Sequence, residues 1–320
     1  MNIDKILILL GEPQSVFLEN MFKYFSSSIG KKNKKEIIII GSLSLIKLHM
    51  KKLKYNFKFN LIKDVKFSKI NSLNLIDVKF KPKNFNSKIS SYSNDYLNKC
   101  FKLSLKILKR EKNIVLINGP ISKKHFLKDK FLGITEYIAN YTKSKNEVMI
   151  IYNKILSVVP VTTHLPVKDI YKNISKLKII NAINKVNLFY SKNLKKTAQI
   201  AVLGLNPHCE TRNKINEEKN FIIPAIKYCK RRRIKVDGPF SADTFFLKKN
   251  ISYYDVVLGM YHDQVLTPAK TLFNFNAINI TLGLPFLRIS PDHGPNWRML
   301  GKNSSDPSSF FSIMQFVNKF

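Results

Sequence analysis

Histidine is scarce in this chain, at positions 49, 125, 164, 208, 262 and 293 only. Three of the six lie where α/β proteins gather their chemistry, just past short apolar runs that read as strands. They are His164 in Thr162-Thr163-His164-Leu165-Pro166, His208 in Gly204-Leu205-Asn206-Pro207-His208, and His262 in Met260-Tyr261-His262-Asp263-Gln264. Three imidazoles from separate strand ends could form a nitrogen-rich site for a borderline divalent metal, with positions left open for substrate. Isolated surface or hydrogen-bonding histidines fit the same pattern. His49 closes a Lys-rich helical stretch and reads as ordinary, and His293 reads as a turn or supporting residue. Asp243, in Gly238-Pro239-Phe240-Ser241-Ala242-Asp243-Thr244, is either a carboxylate for proton transfer or the cap of a short helix. Lys270, Asn279 and Arg288 follow along the last sheet region and could bind an anion. Arg288 carries more weight than Lys270, because Arg is rare here and Lys is everywhere.

The elements that must position these residues alternate strand and helix. Lys5–Leu10, Glu36–Ile40, Ile114–Ile117, Gln199–Leu203, Asp255–Leu258 and Ala277–Leu282 read as buried strands. Ser15–Phe25, Ser42–Met50, Ser93–Arg110, Ser175–Phe189, Asn216–Lys230 and Pro307–Phe316 read as helices. That alternation implies parallel sheets with crossover helices. A chain of 320 residues suits two lobes, with soft boundaries expected near 1–130 plus 300–320 and 131–299.

Composition excludes several classes. With 44% hydrophobic residues the chain is not wholly disordered, and three cysteines do not build a disulfide scaffold. The apolar runs fall short of the ~20 residues that cross a bilayer, and MNIDKILILLGEP reads as a first strand, not a signal peptide. A cytoplasmic protein without membrane attachment is the expectation. Net charge is +34, which would draw in polyanions. Yet the basic residues are nearly all Lys and spread along the whole chain, which argues against specific nucleic-acid binding. There is no Gly-x-Gly-x-x-Gly or Gly-x-x-x-x-Gly-Lys-Ser/Thr run, so a nucleotide cofactor would bind outside the common Rossmann arrangement.

An ordered set of segments completes the reading: GEP at 11–13, NGPISK at 118–123, TTHLPVKDI at 162–170 and GLNPH at 204–208. DGPFSADTFF at 237–246, MYHDQ at 260–264 and NITLGLPFLRISPDHG at 279–294 follow. In this set the chain resembles the 4-hydroxythreonine-4-phosphate dehydrogenases of vitamin B6 biosynthesis over nearly its whole length. The resemblance implies two α/β/α lobes around a central cleft, as in isocitrate and isopropylmalate dehydrogenases. It implies NAD-dependent (or NADP-dependent) oxidation of 4-phosphooxy-L-threonine, followed by decarboxylation to 3-amino-2-oxopropyl phosphate. His164, His208 and His262 become ligands of a zinc, magnesium or cobalt ion. The site is shared across a homodimer, His164 and His208 from one subunit and His262 from the other. Thr135, Lys270, Asn279 and Arg288 match substrate-binding positions, and Asp243 and Lys270 catalytic ones; no cofactor-binding residue is assigned. Three departures stand out: Ile134 where the family has His, a glycine-poor first loop from Leu10 to Leu18, and a glycine-free run from Cys209 to Ile215. They leave open a relative acting on another phosphorylated hydroxy acid, or a homodimer without activity.

Overall fold

The computed structural model describes residues 2–82, 91–122, 126–127, 131, 133–210, 216–274 and 276–320. Lys123 of the NGPISK segment, His125 and residues 211–215 of the loop after His208 lie outside them. The strands of the first part are β1 (Lys5–Leu9), β2 (Glu36–Gly41), β3 (Phe59–Leu61), β4 (Leu73–Asp77) and β5 (Ile114–Asn118). Next come β6 (Val148–Tyr152), β7 (Ser157–Thr162), β8 (Ile200–Leu203), β9 (Val236–Phe240), β10 (Val256–Tyr261) and β11 (Ile278–Leu282). The last strand is β12 (Leu287–Pro291).

The chain forms two α/β units, Met1–Tyr137 with Phe286–Phe320, and Ile138–Pro285. The sequence reading set these limits at 130/131 and 299/300. Residues 286–299 fall in the first unit because β12 pairs in parallel with β5, Leu287 opposite Val115 and Ile289 opposite Ile117.

In the first unit the strand order is β3-β4-β2-β1-β5-β12, and the paired strands are parallel. β1 is buried from Ile6 to Leu9, and β5 and β12 along their whole length. Strands buried on both faces need apolar residues at successive positions, which is why KILIL, EIIIIG and IVLIN read as continuous runs. The helices Phe17–Ser26, Ser91–Arg110 and Ser308–Val317 supply much of the covering. Phe17 and Tyr24 of the first pack edge-on against Phe310 of the last, at 5.4 and 5.6 Å between ring centres.

The second unit has the order β11-β6-β7-β10-β8-β9. β7, β10, β8 and β9 run parallel, but β6 is antiparallel to both β7 and β11. A wholly parallel reading was therefore too simple. β6 and β7 are joined by a loop of four residues, too short for a crossover, so the chain must double back. The expected helix over Asn216–Lys230 opens as a π-helical turn, Glu218–Ile222, before α-helix over Ile223–Arg231. Ser175 caps the helix Lys176–Asn193, its hydroxyl accepting the Lys178 N–H.

Candidate active site

In the first unit, the polar residues collect at the carboxyl ends of β5 and β1 and on β12. Arg288 is 1% exposed in the middle of β12. Its Nε donates to Asn118 Oδ1 at 2.7 Å, and Nη1 donates to Thr135 Oγ1 at 3.4 Å. Asn118, itself buried at the end of β5, turns its amide to the Gly119 carbonyl at 3.0 Å. Burial pushes the Arg288 guanidinium down to about 10, with the nearby Glu136 charge acting in the opposite direction. The side chain thus keeps its positive charge at neutral pH. Thr135 and Arg288, 153 positions apart in the chain, meet at hydrogen-bond distance. Ile134 opens the helix Ile134–Thr142 immediately before Thr135, half-buried.

The first loop is tightly closed despite its lost glycines. Gly11 has φ +75°, and a Cβ there would lie 2.6 Å from the Pro120 carbonyl, so this glycine is required. Glu12 donates its N–H to the same carbonyl at 2.9 Å. Glu12 is 2% exposed; its Oε2 accepts a long Ser122 N–H (3.4 Å), and among the described residues its Oε1 has no hydrogen-bond partner. Burial pushes Glu12 up to about 7. His49, read as ordinary, is buried on the helix Leu43–Leu53 and bonded to the Pro13 backbone; burial lowers it to about 4.

In the second unit, the histidine loops follow neighbouring strands. β7 and β10 pair with Thr162 opposite Tyr261, so His164 and His262 leave the sheet side by side, their ring centres 5.9 Å apart. His262 Nδ1 sits 2.6 Å from Asp263 Oδ1. A carboxylate only accepts, so Nδ1 carries the proton and Nε2 is left as the donor nitrogen, the arrangement metal-binding histidines commonly show. His208 follows β8, the other neighbour of β10. Both His164 (φ 53°) and His208 (φ 55°) adopt left-handed backbone, which is uncommon outside glycine and concentrates at functional sites. Among the described residues, the three histidines of one chain do not gather into a single metal-holding group.

Asp243 lies exposed in the first turn of the helix Ala242–Phe245, not at its cap. The Ser241 hydroxyl donates to it at 2.6 Å and, foremost, holds its carboxyl below the usual range; the nearby His208 adds to this. Lys270 is half-buried in the helix His262–Phe273, and Asn279 lies on β11 opposite Ile151. Among the described residues the buried Asn279 Oδ1 has no hydrogen-bond partner, a waiting acceptor.

The supporting residues were visible in sequence only as members of polar clusters. Glu218, 1% exposed, accepts the backbone N–H groups of Leu205 and Asn206 at 2.8 and 2.9 Å and so fixes the loop that carries His208. Nothing in a run such as NEEKN marks one glutamate as buried. Asn118 and Gln264 have local signals, each standing at a strand end in a polar cluster, but their partners are 170 and 60 positions away.

Residues 33–317 match the family described as pyridoxal phosphate biosynthetic protein PdxA. The 4-hydroxythreonine-4-phosphate dehydrogenase of Sulfurihydrogenibium sp. is 36% identical, over 98% of this chain and 97% of that protein. The D-threonate 4-phosphate dehydrogenase of Salmonella typhimurium is 28% identical, over 99% and 100%. In fold, the chain is similar to the 4-hydroxythreonine-4-phosphate dehydrogenase of Klebsiella pneumoniae, with TM-score 0.82, 22% identity and 99% of each chain covered. It is more distantly similar to a β-decarboxylating dehydrogenase of Thermococcus kodakarensis, with TM-score 0.52, 11% identity and 99% and 84% covered. The chain belongs to the PdxA family of pyridoxal phosphate biosynthetic proteins and is an oxidoreductase of the dehydrogenase type.

Proposed function

We propose that this protein oxidises the secondary alcohol of 4-phosphooxy-L-threonine, with NAD or NADP as acceptor, in the formation of pyridoxine 5'-phosphate. The observation that carries this reading is the placement of His164, His208 and His262 just past three neighbouring strands, β7, β8 and β10, in a chain with this family match. The alcohol carbon gives a hydride to the nicotinamide ring and the hydroxyl gives up its proton. The resulting 3-oxo acid breaks its bond to the carboxylate, carbon dioxide leaves, and the electron pair is taken up through the carbonyl before protonation to 3-amino-2-oxopropyl phosphate. A divalent ion (zinc, magnesium or cobalt) held by His164, His208 and His262 would supply the Lewis acid that favours both stages.

In this reading the chain's own groups divide the remaining work. Arg288 offers a fixed positive charge to a substrate anion, and Thr135 beside it a hydroxyl. Asn279 Oδ1 accepts a substrate hydrogen bond. Asp243, kept ionised by Ser241, accepts one from a hydroxyl or ammonium group, and Lys270 exchanges the proton. The metal site is shared in a homodimer, with His164 and His208 from one subunit and His262 from the other.

A second reading is favoured by Ile134. An apolar side chain stands where the family has histidine, next to Thr135, and a relative matching end to end is named for D-threonate 4-phosphate. The test measures NADH formation by the purified protein with each of the two phosphorylated acids, with and without added Zn²⁺, Mg²⁺ or Co²⁺. Turnover of 4-phosphooxy-L-threonine at least ~10-fold more efficient is expected, a difference of about 1.4 kcal/mol in transition-state binding. Faster turnover of D-threonate 4-phosphate would establish the second reading, and no turnover of either would end both.

A further inference from the structure

Backbone pairing does not by itself fix the three histidine loops. The β8–β10 ladder ends at Leu258 opposite Val202, and the β7–β10 ladder at Tyr261 opposite Thr162. Two side chains take over where the ladders stop, and both bond to the backbone of the same residue. The Met260 carbonyl accepts from Thr162 Oγ1 at 2.7 Å, and the Met260 N–H donates to Gln264 Oε1 at 2.6 Å. The other end of that amide, Gln264 Nε2, donates to the Gly204 carbonyl at 2.8 Å. The bridge Thr162–Met260–Gln264–Gly204 therefore crosses the ends of β7, β10 and β8 in turn. His164 and His262 each stand two residues beyond a bridged position, and His208 four.

The backbone makes room for this arrangement. A Cβ on Gly259 would lie 2.9 Å from Gln264 Oε1 and 2.5 Å from Val265 Cγ1, so a larger residue there would push the amide away. The amide is also hard to replace, since one end must accept and the other donate. Glutamate could serve Met260 but would set a second oxygen against the Gly204 carbonyl.

We infer that Gln264 and Thr162 are positioning residues that hold the three histidine loops in register and so set the protein's affinity for its divalent metal. This rests on the reading of His164, His208 and His262 as metal donors. Partners that orient ligands commonly contribute 10- to 100-fold in metal affinity.

The experiment measures Zn²⁺ affinity by competition with a chromophoric chelator, and the urea midpoint of the metal-free protein, for five variants. Gln264→Leu, Gln264→Glu and Thr162→Val should each weaken Zn²⁺ binding by about 10-fold or more. Thr162→Ser, which keeps the hydroxyl, should stay close to wild type. His208→Ala tests the underlying reading separately. If it keeps wild-type affinity, the metal assignment falls. If it loses Zn²⁺ while Gln264→Glu and Thr162→Val bind as wild type does, the positioning role alone falls. A lowered urea midpoint with unchanged affinity in those two variants overturns it as well, by showing a merely structural contact. Should Gln264→Leu fail to fold, Gln264→Glu and Thr162→Val still decide the matter.

Discussion

Arg288 and the histidines solve the same problem of holding reactive polar groups ready in different ways. Arg288 is sealed inside its sheet, its guanidinium anchored by Asn118 and close to Thr135 within one unit. His164 and His208 are exposed, on left-handed turns past the strand ends, and their support comes from behind, through Met260, Gln264 and Glu218. A buried cation binds an anion with little further rearrangement, and its own loss disturbs the fold. Donors on exposed turns cost the fold little to change and can be completed by groups from elsewhere. One region trades tolerance for rigidity, and the other keeps tolerance.

The largest effect should come from mixing inactive subunits. His208→Ala with His262→Ala, allowed to exchange, should recover up to about a quarter of wild-type activity, because half the dimers carry one intact site of two. His164→Ala with His208→Ala should stay inactive, since both lesions fall on ligands supplied by the same subunit. Recovery in that second mixture would divide His164 and His208 between the subunits, and no recovery in any mixture would mean that the site is not shared. A mid-sized effect separates the regions by stability. Arg288→Met leaves Asn118 Oδ1 without its Nε donor, so unfolding in urea should show a loss of about 1–3 kcal/mol, alongside the loss of activity. The exposed His164→Ala should stay within about 0.5 kcal/mol of wild type, and an equal loss there would erase the contrast.

The last effect concerns Glu12, a buried group of the first region whose Oε1 has no hydrogen-bond partner among the described residues. Its carboxyl is raised from 4.5 to about 7, so the folded chain keeps a proton that the unfolded chain releases. The stability contributed is complete below pH 4.5 and is lost as pH rises through about 7, at most about 3 kcal/mol. Glu12→Gln should flatten this dependence between pH 5 and 8 in urea titrations. An unchanged slope would place the titrating group elsewhere.

Much of the architecture was legible because buried strands need unbroken apolar runs, and this chain writes them in isoleucine. Strand direction was not, since an apolar run reads the same for parallel β1 and antiparallel β6. β9 escaped notice because Val236-Asp237-Gly238-Pro239-Phe240 carries two strand-breaking residues, and its ladder with β8 is indeed irregular between Ala201 and Leu203. The helix after His262 was hidden by Pro268 within it. At the site, the strand-end clusters could be read from the sequence, but partners depend on topology. Thr135 and Arg288 meet because β12 returns to β5, which no local pattern announces.

That return has a consequence for how the protein is made. The second unit is an insertion, bracketed by the two stretches of chain that build the first. As synthesis proceeds from the amino end, β5 is made long before β12, so one edge of its sheet must wait for a strand from beyond residue 285. The inserted unit is fully present by then and is free to close first. The hydrogen bond from Arg288 to Asn118, between residues 170 positions apart, is therefore among the last to form. A nascent chain stopped before β12 would display the apolar ladder Ile114–Asn118 with its edge unpaired, an invitation to aggregate that the finished chain withdraws.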